Sequence, residues 1–372
     1  MIDNADIIRM FTMEGATHLY SSEPFLLTPA DLYHVNQNPV YQQALQHCNI
    51  YMIVCRERIY INPEQYSLHG RTVRGTFIVS RPTGRVSVSF EYIIPERVVP
   101  DERQILEIAV DLGGTKLVVI TPSSKEIIAV SSIVAQANSH LTPSDTDLNV
   151  MYVGKGIGRL RKRTAVDRLR AHSTLQRILA EMSTHFPSTE VLLLLYRFEH
   201  SRTIISSGAN LNVEPQSSAE EDSTHMQRLS NVTLSRDEVV SLAEAGLINY
   251  FKPHYNELVK RTDFASKSRL MILERLINRG ITGLIVEICS ANIRSRLGTQ
   301  HAILKELTEI YSPEQISGVL TPEAEECKQW QQELHMHAHT HIASFPLTNQ
   351  LERNTFMHGT VFLDDSDIKP EE

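Results

Sequence analysis

The sequence predicts a mixed α/β chain of the α+β type, and three observations carry that reading. Its first third is dominated by β-branched and aromatic runs separated by turn residues. Its middle sets short apolar runs beside a segment of helical period, and its last third alternates helical and strand patterns. At 372 residues the length fits two or three domains, and 41% hydrophobic against 22% charged residues leaves material for more than one core. The division reads as a β-rich N-terminal domain over 1–122, a middle domain over 123–262 with a small sheet flanked by helices, and an α/β C-terminal domain over 263–372.

In the N-terminal domain, Thr76–Val79 and Val86–Tyr92 flank Arg81-Pro82-Thr83-Gly84, a hairpin signal. Ile105–Val110 and Leu117–Ile120 flank Asp111-Leu112-Gly113-Gly114, a second one. Short helices are expected near Pro29–His34 and Tyr41–His47. In the middle domain Lys125–Ala135, Asn149–Val153 and Glu190–Phe198 read as strands. Thr164–Ser183 reads as one helix, because Val166, Leu169, Leu175, Ile178, Leu179 and Met182 return near a 3.6 period. Residues 201–235 carry eight serines, an acidic cluster and no clear period, so they read as a mobile insert. Ser235 with Glu238 then forms a capping box opening a helix that runs to Phe251 and stops before Pro253. Further on, Leu270–Asn278 reads as a helix ended by Gly280, Leu284–Cys289 as a strand, Glu323–Gln332 as a helix and Leu334–Phe345 as a strand.

No apolar run approaches the length of a membrane-spanning helix, and the N-terminus lacks the basic and apolar regions of a secretory signal. Four cysteines without a C-x-x-C pair argue against a disulfide scaffold or zinc ribbon, which leaves a cytoplasmic protein as the expectation. The net charge of −8 is not that of a protein that coats nucleic acid. Yet Lys155–Arg177 contains eight Lys/Arg against one acid, Asp167, and such a patch can steer a phosphate chain into one cleft.

That basic stretch adjoins the residues suited to chemistry. Tyr152-Val153-Gly154-Lys155 leaves a strand for a loop carrying Arg159, Arg161 and Arg163. Arg168 and His172 lie four apart and so share a face of the following helix. Glu244 lies inside the later helix, closed by Lys252-Pro253-His254-Tyr255-Asn256. A phosphodiester nuclease needs a carboxylate for a hard cation, a clamp for the phosphate, and proton donors and acceptors near the attacking water. Glu244 suits the first task, Arg168 the second, and Tyr152 with His172 the third.

Together these residues resemble the GIY-YIG nuclease superfamily, its restriction-enzyme branch in particular. Tyr152-Val153-Gly154 stands for the second half of the name motif, Arg168 and His172 for the helix pair, Glu244 for the metal-binding glutamate and Asn256 for the terminal asparagine. The resemblance covers about 125–262. It implies Mg²⁺- or Mn²⁺-dependent cleavage of DNA, with Tyr152, Arg168, His172, Glu244 and Asn256 catalytic and Glu244 the metal ligand. Lys155, Arg159, Arg161 and Arg163 then bind substrate. It also implies a role in restriction or anti-phage defence, and a second copy or defence-complex partner for double-strand cutting. One departure stands out. The family's Gly-Ile-Tyr should precede Tyr152, but no tyrosine occurs between Tyr92 and Tyr152. Either that phenol is missing, which favours a non-catalytic nucleic-acid-binding or scaffold protein, or it comes from elsewhere, Tyr196 and Tyr255 being the candidates.

Two other motifs compete. Asp111-Leu112-Gly113-Gly114-Thr115 resembles the first phosphate motif of ROK sugar kinases, against the simpler reading of a hairpin turn. His335, His337, His339 and His341 alternate; on a strand they would share one face, either as transition-metal ligands or as a polar surface.

Overall fold

Five consecutive apolar residues, 191–195, are all buried, which places their strand in the middle of the molecule with packing on both faces. The computed structural model describes residues 9–81, 83–156, 164–207, 214–259, 266–304 and 325–348. The chain opens with β1 (Glu14–Ser21), β2 (Phe25–Leu27), α1 (Asp31–His34), α2 (Pro39–Leu45) and β3 (Ile50–Glu57). A β-rich unit follows: β4 (Ile59–His69), β5 (Thr72–Arg81), β6 (Gly84–Ile93), β7 (Glu107–Val110), β8 (Lys116–Ile120), β9 (Lys125–Ala129), α3 (Val130–Gln136), β10 (Asn138–Ser139) and α4 (Pro143–Thr146). Next come β11 (Leu148–Lys155), α5 (Ala165–Arg170), α6 (Ser173–His185), β12 (Thr189–Tyr196), β13 (Phe198–Ser206), α7 (Ala219–Ser230), α8 (Arg236–Phe251) and α9 (His254–Val259). The chain continues with α10 (Lys267–Asn278), β14 (Ile281–Cys289), β15 (Leu297–Gly298), α11 (Glu325–Ala338) and β16 (Thr340–Pro346). The class is mixed α and β, as the sequence predicts, and among the described residues no helix is long and apolar enough to cross a membrane.

The central sheet runs β15-β11-β3-β12-β2. Alternate residues of β3 feed two cores: Ile50, Met52 and Val54 face one side, Tyr51, Ile53 and Cys55 the other. The first core is shared with a second sheet, ordered β13-β1-β14-β16, and with α8 between the two sheets. This position explains the composition of α8. Val239, Val240, Leu242, Ala243, Ala245, Gly246, Leu247 and Phe251 are buried around nearly its whole circumference, the pattern of an interior helix. The second core is closed by α1, α5 and α6 through Leu32, Val166, Leu169 and Ile178.

The three-domain division of the sequence reading differs from this architecture. β1, from the expected N-terminal domain, pairs in parallel with β14 from the expected C-terminal one, and antiparallel with β13. β2 and β3 likewise complete the central sheet with β12. What stands apart is the stretch 59–147, whose sheets β10-β6-β5-β4 and β7-β8-β9 enclose their own core around Phe77, Phe90, Leu117 and Ile133. It enters after β3 and leaves into β11, two strands that are direct neighbours.

The serine-rich stretch 201–235 is also more ordered than expected where it is described; residues 208–213 lie outside the described set. Its start is β13, where Thr203, Ile204 and Ile205 pair with Thr17, Ala16 and Gly15. Its later part is α7, opened by a Ser218/Glu221 capping box and anchored through buried His225 and Leu229. The β-branched run and the box outweigh the polar composition.

Three further elements differ. The strand expected over Lys125–Ala135 ends at Ala129, and Val130–Gln136 is helix α3. The helix expected over Thr164–Ser183 breaks at Ala171 into α5 and α6. The expected strand over Leu334–Phe345 splits: Leu334–Ala338 end helix α11, and β16 starts only at Thr340.

Candidate active site

The turn of α5 into α6 is built by the site itself. Thr164 and Asp167 form a capping box at the start of α5, and His172 caps α6, its Nδ1 accepting the Leu175 N–H at 3.3 Å. Arg168 and His172 therefore do not share one helical face. They flank a corner, and both point toward the β3–β11 pair. His172 is buried, and its ring lies 5.1 Å from that of Tyr152 and 5.7 Å from that of Tyr51. Burial, then the neighbouring Arg168 charge, lowers its pKa, so it is neutral near pH 7. With Nδ1 accepting, the neutral ring carries its proton on Nε2. Its free hydrogen-bonding atom is thus a donor, one half of the proton-handling role that the sequence reading gave it with Tyr152.

Tyr51 is the residue that the sequence reading missed. It sits on β3 directly beside β11, paired with Gly154, and its ring stacks near that of Tyr152 at 6.2 Å and 25°. Arg168 and Tyr152 are within hydrogen-bonding reach of its hydroxyl. The signal was present, since Asn49-Ile50-Tyr51 keeps two of the three letters of Gly-Ile-Tyr. It lies on the far side of 59–147 and not on the strand that precedes Tyr152 in sequence. The other two candidates are elsewhere. Tyr196 faces the opposite core, and the Tyr255 hydroxyl donates to Glu181. Desolvation raises the pKa of both site tyrosines, with the Glu244 charge adding to it and Arg168 opposing it.

Gly154 is what lets the two phenols meet. A Cβ there would stand 2.6 Å from the Tyr51 hydroxyl and 2.8 Å from the Tyr152 ring. Gly154→Ala is expected to keep the fold, at about 1–3 kcal/mol of overpacking cost in urea unfolding. The same change moves the Tyr51 hydroxyl off Arg168, so any Tyr51-dependent reaction drops more than stability does.

Asn256 plays a different part from the catalytic one expected of it. It is buried; its Oδ1 accepts the Val153 N–H at 2.8 Å and its Nδ2 donates to the Val153 carbonyl at 2.9 Å. β15 pairs with β11 only at Leu148 and Asn149, so Val153 would otherwise expose an unpaired backbone. The amide substitutes for a strand there and fixes β11 between Tyr152 and Lys155. Asn256 is a positioning residue.

Glu244 projects from α8 into a group of cations. Its Oε2 lies 3.0 Å from Lys155 Nζ and 2.6 Å from Arg269 Nη2. Lys155, expected to bind substrate, is thus on Glu244 in this state. Arg159, Arg161 and Arg163 lie outside the described residues. Among the described residues no three His, Cys, Asp or Glu converge. A cation at Glu244 would therefore rest on one carboxylate, with water and substrate phosphate for the rest, which suits Mg²⁺ or Mn²⁺ and not zinc.

The competing motifs resolve structurally. Asp111 accepts from the Thr115 and Lys116 amides at 2.6 and 2.8 Å, and Gly114, at φ +64°, packs where a Cβ would meet the Ile61 carbonyl at 2.3 Å. This is a hairpin turn seated on β4. The four alternating histidines straddle a helix end: His335 and His337 on α11, His339 at the junction, His341 on β16. His335 and His339 each hydrogen-bond a backbone carbonyl. Burial lowers the pKa of both His339 and His341 to about 4. Unfolded, they take protons near pH 6.5, so between about 6.5 and 4 the unfolded chain binds more protons than the folded one. Stability is then full above pH 6.5 and is lost as pH falls toward 4. A lower urea midpoint at pH 5 than at pH 7.5 is the expected result.

Compared with protein-family models, curated proteins and solved structures, the chain matches none.

Proposed function

We propose that the protein is a divalent-metal-dependent nuclease of GIY-YIG type acting on DNA. The observation that carries this is the convergence of Tyr51 and Tyr152, from neighbouring strands, on Arg168 and His172, with the Glu244 charge close enough to act on both phenols. On this reading Arg168 binds the scissile phosphate, and His172 donates from Nε2 to orient a phenol or a phosphate oxygen. The Tyr51 and Tyr152 hydroxyls relay the proton of the attacking water. Lys155 binds the nucleic-acid backbone. Glu244 would hold the Mg²⁺ or Mn²⁺, and a cation bound there neutralises charge that builds on the phosphate. The non-catalytic alternative drew on a missing tyrosine, and in the nuclease reading Tyr51 takes that place. The choice of DNA over RNA, and a role in restriction or anti-phage defence, follow from the family likeness and not from the geometry. Incubation with plasmid DNA, single-stranded DNA and RNA under Mg²⁺, Mn²⁺ or EDTA tests the reading. Metal-dependent cleavage of DNA supports it, and cleavage of RNA alone corrects the substrate.

A further inference from the structure

Arg269 lies on α10, beyond the stretch that resembles the nuclease family, yet it reaches the centre of the candidate site. It is buried, with its Nε directed at the Ser241 carbonyl and hydroxyl at 3.2 and 3.3 Å and its Nη2 on Glu244 at 2.6 Å. Ser241 and Glu244 are one turn apart on α8, so a single guanidinium spans both. Lys155 approaches the same pair from β11, 3.4 Å from the Ser241 hydroxyl and 3.0 Å from Glu244 Oε2. The two cations differ in freedom. The Arg269 side chain is 7% exposed, that of Lys155 33%.

Both cations approach Glu244 at Oε2. Two such neighbours weaken the pull of the carboxylate on an arriving dication. Nucleic-acid phosphate adds negative charge, and Lys155, being the freer of the two, can exchange the carboxylate for it. Resting on the nuclease reading above, we propose that Arg269 is a positioning residue. It fixes Glu244 through Oε2 and, together with Lys155, keeps divalent-metal affinity low until substrate phosphate enters the site. The metal and the nucleic acid are then taken up cooperatively, and α10 is a required part of the site.

The test is Mn²⁺ binding to the full chain without nucleic acid, followed by electron paramagnetic resonance or calorimetry. Arg269→Gln keeps hydrogen-bonding capacity toward Glu244 but removes the charge, and it is expected to raise Mn²⁺ affinity by about tenfold or more at low salt. Lys155→Gln, at a partly exposed position, is expected to raise it as well and serves if Arg269→Gln fails to fold. Arg269→Lys retains the charge and should stay near the parent. Unchanged or weaker Mn²⁺ binding in the charge-removing variants overturns the proposal. If Glu244→Gln leaves Mn²⁺ binding unaltered in every background, the metal reading of Glu244 fails instead, and the proposal with it.

Discussion

Tyr51→Phe is expected to lower the rate of metal-dependent DNA cleavage by about 10²–10⁴-fold, the usual contribution of a positioned acid or base. Phenylalanine preserves the buried ring in the second core, so urea unfolding should change little. What it removes is one hydroxyl, the group that Arg168 and Tyr152 both approach. Tyr152→Phe should lose rate on the same scale. Because the two phenols act as a unit, the double variant should cost much less than the product of the single losses. A Tyr51→Phe enzyme as fast as the parent would place the chemistry elsewhere.

Glu244→Gln is expected to lose both cleavage and stability. The Glu244 carboxylate is paired, not free. In the structure it neutralises Arg269, whose guanidinium is nearly inaccessible. Breaking a buried pair from one side costs about 3–5 kcal/mol, and the glutamine amide oxygen, still able to accept, brings the expected loss toward the low end, about 3 kcal/mol in urea unfolding. Adding Arg269→Gln to Glu244→Gln should recover much of that stability, since two neutral amides replace an unpaired charge. It should recover no cleavage.

The sequence was most legible where local chemistry decides structure. The Ser235/Glu238 capping box opens α8 where expected, and Lys252, in the left-handed region at φ 43°, ends it before Pro253. Tyr152, Arg168, His172, Glu244 and Asn256, picked out by their order, do lie near one another in the fold. That order could not reveal that His172 caps a second helix, because a histidine cap leaves no pattern in a 3.6 period. Nor could it place Tyr51, whose neighbour in space is separated from it by the unit 59–147. Arg269 gave no local signal at all. Its role arises from α10 packing on α8, a contact that depends on the whole C-terminal part of the chain. The alternating histidines misled for a related reason. A period of two reads as strand until the backbone turns, and here it turns at His339.

The most direct measurement is nicking of supercoiled plasmid by the purified full-length protein with Mg²⁺ or Mn²⁺, beside Tyr51→Phe and an EDTA control. The account expects nicks that require the metal and vanish with the Tyr51 hydroxyl. Equal nicking by parent and variant, or no cleavage of any nucleic acid by a folded parent under either metal, would contradict it.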